Sequence, residues 1–163
     1  MPNADDQLPF TAVERERYFE DYVADAVHVL GEVEIDEDRM IAFARDFDSQ
    51  DIHIDREKAA AGPFGGLIAS GWYTGSLMMR FYARHYLSDA SSLASPGMER
   101  LRWLAPVRAG DVLTVRVAIK ETRRSESKPG RGIVKTLIEV LNQDGTVVMD
   151  IDAVNFILCR SAE

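Results

Sequence analysis

An acid and an imidazole stand close together in the polar segment 48–55. Four residues separate Asp48 from His53, and Asp55 follows two positions later. A carboxylate and an imidazole that face one water can accept and return a proton, as acid–base catalysis requires. Five helical steps would turn the two side chains about 140° apart around a helix axis. They can therefore share a water only if a turn or loop separates them, and the polar residues after Asp48 are compatible with a turn.

A glycine-rich segment leads into the most apolar stretch of the chain. Residues 63–71 read Pro-Phe-Gly-Gly-Leu-Ile-Ala-Ser-Gly, and residues 72–87 are largely aromatic, Leu and Met. A helix that is apolar on all sides is typical of a buried core helix, so we predict one over 72–87. Ser70 can cap its start. Gly71 would leave a backbone N–H uncrowded by a side chain, and the helix dipole would help that N–H to bind an oxygen gaining negative charge.

Alternating segments on both sides of this helix predict strands. These segments are 27–35, 98–105, 112–120, 133–141 and 146–158. Asp36 is expected to cap a short helix that ends near Asp46, and residues 56–61 suit one or two further helical turns. Antiparallel strands joined by turns, together with one buried helix, predict an α+β domain whose sheet curls around the helix. We expect residues 14–163 to form this single domain and residues 1–13 to be a flexible arm.

Composition restricts the class of function. A net charge of −8 over 163 residues argues against nucleic acid as the main partner, because phosphate binding needs a basic face. The single cysteine, Cys159, excludes an intrachain disulfide. The first ten residues do not resemble a signal peptide, and no apolar run is long enough to span a bilayer, so we expect a cytoplasmic protein. Of the other two histidines, His28 is expected to be exposed and His85 to be structural.

Three motifs occur in a specific order. The first is Asp48, His53 and Asp55; the second is Phe-Gly-Gly-Leu-Ile-Ala-Ser-Gly over 64–71; the third is Pro-Val-Arg-Ala-Gly-Asp over 106–111. Together they resemble the MaoC-like hydratase/dehydratase family of the hotdog fold, over roughly residues 14–158. The resemblance implies a curled antiparallel sheet wrapped around one long central helix, in a homodimer or a higher oligomer of dimers.

The resemblance also implies a hydro-lyase, which adds water reversibly to a trans-2-enoyl thioester and forms the (R)-3-hydroxyacyl thioester. In that reading Asp48 and His53 activate one water, the N–H of Gly71 binds the thioester oxygen, and no metal or cofactor takes part. The substrate would be a thioester of coenzyme A or of an acyl-carrier protein. Residues expected near the substrate are Gly65, Gly66, Leu67, Ser70, Trp72 and Tyr73. Arg100, Arg102 and Arg108 are candidates for the nucleotide phosphates on charge alone.

The chain departs from the family pattern at several positions. Phe47 replaces a Gly, Gln50-Asp51 replaces Asn-Pro, and Ser70 replaces a His. Two other readings stay open. One is a thioesterase on the same fold, and the other is an acyl-thioester-binding subunit without turnover, which the replacements at Phe47 and Asp51 favour. Which of the dyad residues is the base also stays open.

Part of the same segment also mimics a calcium-binding loop. Residues 46, 48, 50 and 57 have roughly the spacing of calcium ligands. Asp51 stands where such a loop needs a glycine for its turn, so no metal site is predicted.

Overall fold

The computed structural model describes residues 14–161, with the side chain of Arg15 excepted. The predicted N-terminal arm, residues 1–13, lies outside the described residues. Two short 3-10 turns, Glu14–Glu16 and Phe19–Asp21, come before the first strand. No helix in the described part of the chain is long and apolar enough to cross a membrane.

Within residues 14–161, five antiparallel strands form one sheet in the order β1-β3-β4-β5-β2. The strands are β1 (Val27–Glu34), β2 (Gly97–Trp103), β3 (Val112–Arg124), β4 (Arg131–Leu141) and β5 (Val147–Leu158). Every second side chain is buried along β4 and the first part of β3, because successive side chains of a strand point to opposite faces. One face of the sheet therefore packs on the core, and the predicted α+β class is confirmed.

The long helix α4, Gly71–Phe81, continues as one π-helical turn over Tyr82–Tyr86. The helix predicted over 72–87 is confirmed. Ser70 caps it as predicted, because its side chain accepts a hydrogen bond from the backbone N–H of Trp72. One side of the helix joins a single hydrophobic core with the inward residues of the sheet, and its buried members there are Tyr73, Met78, Tyr82 and Tyr86.

The opposite side of α4 is open within a single chain. Trp72 is 55% exposed and Met79 is 45% exposed. The prediction that this helix is buried on all sides is therefore wrong for the isolated chain. The physical reason is that one sheet can cover only one side of a helix, so the other apolar side needs a further element or a second chain.

Three short helices lie between β1 and α4. They are α1 (Glu37–Phe47), α2 (Asp51–Ile54) and α3 (Arg56–Ala61). Asp36 caps α1 as predicted, and its carboxylate accepts a hydrogen bond from the N–H of Arg39 at 2.9 Å. The segment between Asp48 and His53, predicted to be a turn or loop, contains instead the start of the single helical turn α2. The two breaks around residues 48–50 and at Asp55 let the chain change direction twice.

His28 is buried, with 8% of its surface exposed, so the prediction that it is exposed is wrong. It lies at the start of β1 beneath the π-helical turn, and its ring centroid is 6.4 Å from that of Tyr86. Burial, and secondarily the nearby Arg17 cation, lower the pKa of His28 from 6.5 to about 4. The folded protein therefore holds this histidine neutral at pH values where a free histidine is already charged.

The stability of the fold is expected to decrease as the pH falls from about 6.5 to about 4. The unfolded chain takes up a proton on His28 near pH 6.5 and the folded chain only near pH 4, so protonation in this window favours unfolding. The full difference corresponds to about 3 kcal/mol. His28→Gln should flatten this part of the pH dependence, measured as the free energy of urea unfolding across the window.

His85→Gln is the matched control, because His85 is 41% exposed and pairs with Glu14 at the surface. Exposed pairs of this kind contribute little to stability, so the control should keep the wild-type dependence. Equal pH dependence in wild type and His28→Gln would contradict the prediction.

Candidate active site

Asp48 lies where helix α1 ends. Its backbone N–H still bonds to the carbonyl oxygen of Ala44 at 2.8 Å, but its own backbone has left the helical conformation. The last turn of α1 therefore holds Asp48 in place, and the chain changes direction immediately after this residue. Only 18% of the Asp48 side chain is exposed.

His53 lies on the single turn α2 and is buried, with its side chain 7% exposed. Its Nδ1 is 2.8 Å from the carbonyl oxygen of Ile68. A carbonyl oxygen can only accept, so Nδ1 carries the hydrogen and donates it. The other ring nitrogen, Nε2, lies 3.4 Å from Oδ2 of Asp48. The backbone thus selects the tautomer of neutral His53 that presents a lone pair at Nε2 towards the carboxylate.

Two polar side chains hold the carboxylate of Asp48. The Nε2 amide of Gln50 donates to Oδ1 at 2.6 Å, and the hydroxyl of Ser70 donates to Oδ2 at 2.7 Å. The bond from Gln50, followed by the bond from Ser70, lowers the pKa of Asp48 below its ordinary value. Asp48 therefore stays a carboxylate, and an acceptor of hydrogen bonds, throughout the neutral range.

The first turn of α4 presents Gly71 to the same site. Ser70 accepts the three backbone N–H groups that follow Gly71. Its side chain accepts that of Trp72, and its carbonyl oxygen accepts those of Tyr73 and Thr74. The N–H of Gly71, by contrast, donates to no group among residues 14–161. It is a free donor at a helix N-terminus, where the dipole favours negative charge.

A cavity of about 480 Å³ joins these groups. Four of the predicted site residues line it: Asp48, His53, Gly71 and Trp72. Sequence reasoning missed several other lining residues, among them Gln50, Phe64, Thr74, Trp103, Leu104 and Val148. Trp103 and Leu104 come just before the Pro106 motif, and this position was the only signal in the sequence that could have pointed to them.

The remaining predicted residues do not line the cavity. Gly65 and Gly66 have φ angles of 64° and 152°, which favour glycine, and so they shape the loop beside the cavity. Arg108 braces this loop by donating to the carbonyl oxygens of Phe64 and Leu67 at 2.6 and 3.2 Å. Tyr73 is buried against Phe43, with ring centroids 5.4 Å apart.

Two of the three arginines proposed for phosphates are already engaged on the sheet. Arg100 pairs with Asp152 at 2.9 Å, and Arg102 donates to Asp150. A carboxylate that neutralises a guanidinium removes most of its attraction for a phosphate. Arg108 is bound to backbone carbonyl oxygens, which leave its charge in place.

The profile of the MaoC-like domain family matches residues 19–140, which include the dyad, the glycine-rich segment and α4. The chain belongs to this family. The resemblance inferred from the three motifs is thereby confirmed, and the curled sheet with its long helix is the family's hotdog fold.

Two of the known relatives of this MaoC-like domain are named dehydratases. The crystal structure of a MaoC-like dehydratase from Rhodospirillum rubrum is 32% identical and superposes with a TM-score of 0.83, over 89% of this chain and 99% of that one. The 3-hydroxyacyl-thioester dehydratase Z of Mycobacterium tuberculosis is 34% identical over 94 residues, which are 57% of this chain and 62% of that enzyme. An uncharacterized Bacillus subtilis protein, YdeM, is 30% identical over 120 residues, covering 72% of this chain and 82% of its own.

Proposed function

We propose that this MaoC-like domain catalyses the reversible addition of water to a trans-2-enoyl thioester, forming the (R)-3-hydroxyacyl thioester. One observation carries the proposal. Two proton-accepting atoms, Oδ2 of Asp48 and Nε2 of His53, lie 3.4 Å apart at a cavity that is also lined by Gly71, whose N–H has no partner among residues 14–161. The distance is long for a direct hydrogen bond but allows one water to donate to both atoms. Such a water keeps its lone pairs free to attack carbon.

The reaction balances with these groups alone. The water oxygen bonds to C3 of the enoyl group, and one water proton passes to the dyad. The electrons of the C2–C3 double bond move towards the thioester carbonyl, whose oxygen becomes enolate-like. The dyad then returns the proton to C2, which restores the carbonyl. No oxidation or reduction occurs, and dehydration is the same path in reverse.

His53 is the group that carries the proton in this scheme. Its Nε2 lone pair faces the water, and imidazole is the side chain that most readily gains and loses a proton near neutral pH. Asp48 is held ionised by Gln50 and Ser70, so its role is to orient the water and to stabilise the imidazolium that forms. The N–H of Gly71 stabilises the enolate oxygen, a type of interaction that contributes about 3 kcal/mol in acyl-transfer enzymes.

The relatives and the chemistry both support a thioester substrate. A thioester makes C2 acidic enough for this proton transfer, and the M. tuberculosis relative is named a 3-hydroxyacyl-thioester dehydratase. Apolar and aromatic lining residues, among them Phe64, Trp103, Leu104 and Val148, suit an acyl chain. The carrier is coenzyme A or an acyl-carrier protein.

The test uses the purified protein with trans-2-butenoyl-CoA and a series of longer enoyl-CoA thioesters. Hydration should abolish the ultraviolet absorbance of the conjugated thioester, and chiral chromatography of the product should show the (R) alcohol. Release of free thiol from saturated butanoyl-CoA would instead identify a thioesterase. Tight binding of enoyl-CoA without any turnover would identify a non-catalytic subunit, and either result would overturn the proposal.

A homodimer is part of this proposal, because one large apolar surface is exposed to solvent in the single chain. Strand β2 is an edge of the sheet, and its Met98 and Trp103 are 55% and 46% exposed. Trp103 meets Trp72 of α4 edge to face at 5.2 Å, so the open side of the helix continues onto this strand. An exposed edge strand beside large apolar side chains is a template for pairing with a second copy.

Light scattering should therefore give a mass of at least twice 18.2 kDa for the wild type. Met98→Glu should shift the mass towards that of one chain, because the charge would be desolvated against the partner. A wild-type mass of one chain would contradict the homodimer.

A further inference from the structure

Ser70 is fully buried, with none of its surface exposed, and yet it does not line the cavity. Its hydroxyl hydrogen is donated to Oδ2 of Asp48 at 2.7 Å. The hydroxyl oxygen of Ser70 also accepts the backbone N–H of Trp72 at 3.2 Å. A hydroxyl has a single hydrogen to donate, so Ser70 is committed to these two protein groups. Ser70, which was expected near the substrate, contacts the acid of the dyad.

We propose that Ser70 is a positioning residue. It holds Oδ2 of Asp48, the oxygen nearest His53, at a set distance from the free amide of Gly71. The proposal rests on the hydratase function above and extends it to a residue at which this chain departs from the family pattern.

The carboxylate oxygen that Ser70 holds is the one that faces His53. Oδ2 lies 3.4 Å from Nε2 of His53, whereas Oδ1 points to Gln50. A carboxylate can rotate about its Cβ–Cγ bond unless both oxygens are fixed. Gln50 and Ser70 fix one oxygen each, and the bond from Ser70 leaves a lone pair of Oδ2 for the catalytic water.

The second hydrogen bond of Ser70 connects the dyad to the oxyanion donor. By accepting the N–H of Trp72, Ser70 caps α4, and Gly71 is the first residue of that helix. One hydroxyl group therefore contacts both the acid that orients the water and the helix end that binds the thioester oxygen. Because C3 and the carbonyl oxygen of an enoyl thioester are a fixed distance apart, the site gains from a rigid link between their two partners.

The two donors to Asp48 should differ in importance. The bond from Gln50 is the shorter one, but Gln50 is exposed, and water can replace its amide when it is removed. The hydroxyl of Ser70 has none of its surface exposed, so water cannot take its place as easily as it can replace the amide of Gln50. Ser70 therefore holds the carboxylate more firmly than Gln50 does.

The experiment compares Ser70→Ala with Gln50→Ala and Asp36→Ala. Asp36 caps α1 through its side chain, as Ser70 caps α4, but does not contact the dyad. All three variants are measured for kcat, for KM and for thermal stability. The pKa of Asp48 is read from the carboxyl ¹³C resonance, assigned by its absence in Asp48→Asn.

Ser70→Ala is expected to lower kcat about ten- to a hundred-fold with little change in KM, and to raise the pKa of Asp48. Its activity should therefore be lost at a higher pH than that of the wild type on the acid side. Gln50→Ala should have a smaller effect on kcat. Asp36→Ala should lose similar stability but keep kcat within about twofold.

Ser70→Cys keeps the size of the side chain with a weaker donor, and should give an intermediate kcat if Ser70→Ala does not fold. An unchanged Asp48 pKa in Ser70→Ala or, where that variant does not fold, in Ser70→Cys would overturn the proposal. So would a loss of kcat in Asp36→Ala equal to that in Ser70→Ala. The NMR titration needs no turnover, so it separates failure of this proposal from failure of the hydratase assignment, which would appear as an inactive wild type.

Discussion

Asp48→Asn is expected to lower kcat for enoyl-CoA hydration by about 10³-fold. Both carboxylate oxygens of Asp48 accept hydrogen bonds, from Gln50 at Oδ1 and from Ser70 at Oδ2. An asparagine must place an NH₂ group at one of these positions. The exposed amide of Gln50 can turn over and accept from that NH₂ group, whereas the hydroxyl of Ser70 already accepts the N–H of Trp72. In either orientation the asparagine carries no charge, so it cannot stabilise the imidazolium that forms when His53 takes the proton.

His53→Gln is expected to produce a loss of similar size. The glutamine can keep a hydrogen bond to the carbonyl oxygen of Ile68, but an amide cannot take up and return the proton. If Asp48 and His53 act on one water, the double variant should lose little more than either single variant, because residues that act as a unit are not additive. Initial rates measured by the loss of enoyl thioester absorbance provide the comparison.

Asp51→Asn is the matched control for both variants. It removes the same charge three residues away, from an exposed carboxylate that pairs with Lys58 at 3.0 Å. Its kcat should equal that of the wild type. Circular dichroism of all variants checks that they are folded, and a folded Asp48→Asn or His53→Gln with wild-type kcat would end the hydratase assignment.

Gly71→Ala is expected to lower kcat by about 10²-fold or more through displacement of the donor to the thioester oxygen. A Cβ added at Gly71 would overlap the indole ring of Trp103 well inside van der Waals contact. Either the indole or the start of α4 must move, and a shift of about 1 Å is enough to misplace a catalytic group. Substrate affinity should change less than kcat, because the enolate oxygen gains its charge only in the transition state.

Gly75→Ala is the control on the same helix. An added Cβ at Gly75 has no heavy atom within 4 Å, so this variant should keep kcat and gain about 0.5–1 kcal/mol of stability from a better helix former. The double variant Gly71→Ala/Trp103→Ala restores the space, and partial recovery of kcat would assign the loss to the overlap. Wild-type kcat in folded Gly71→Ala would contradict the role of this amide.

The helices and strands could be predicted from the sequence because their signals are local. Alternation along 133–141 corresponds to β4, and the apolar run over 72–87 corresponds to α4 with its π-helical turn. The caps at Asp36 and Ser70 were equally readable, because a cap depends on the few residues that follow it. His28 was misjudged because its burial depends on the π-helical turn over Tyr82–Tyr86, which is distant in sequence.

The sequence alone determined which residue types are available for chemistry, namely an acid, an imidazole and a glycine at a helix start, in the order of the MaoC-like family. Only the tertiary structure decided how they are used. The bond from His53 to the carbonyl oxygen of Ile68 spans 15 residues, and the bond from Ser70 to Asp48 spans 22. Trp103, at the end of strand β2, lies against Gly71 at the start of α4. Periodicity and spacing describe neighbours along the chain, whereas tautomer, carboxylate orientation and access to an amide depend on side chains that meet only when the sheet, α1 and α4 pack together.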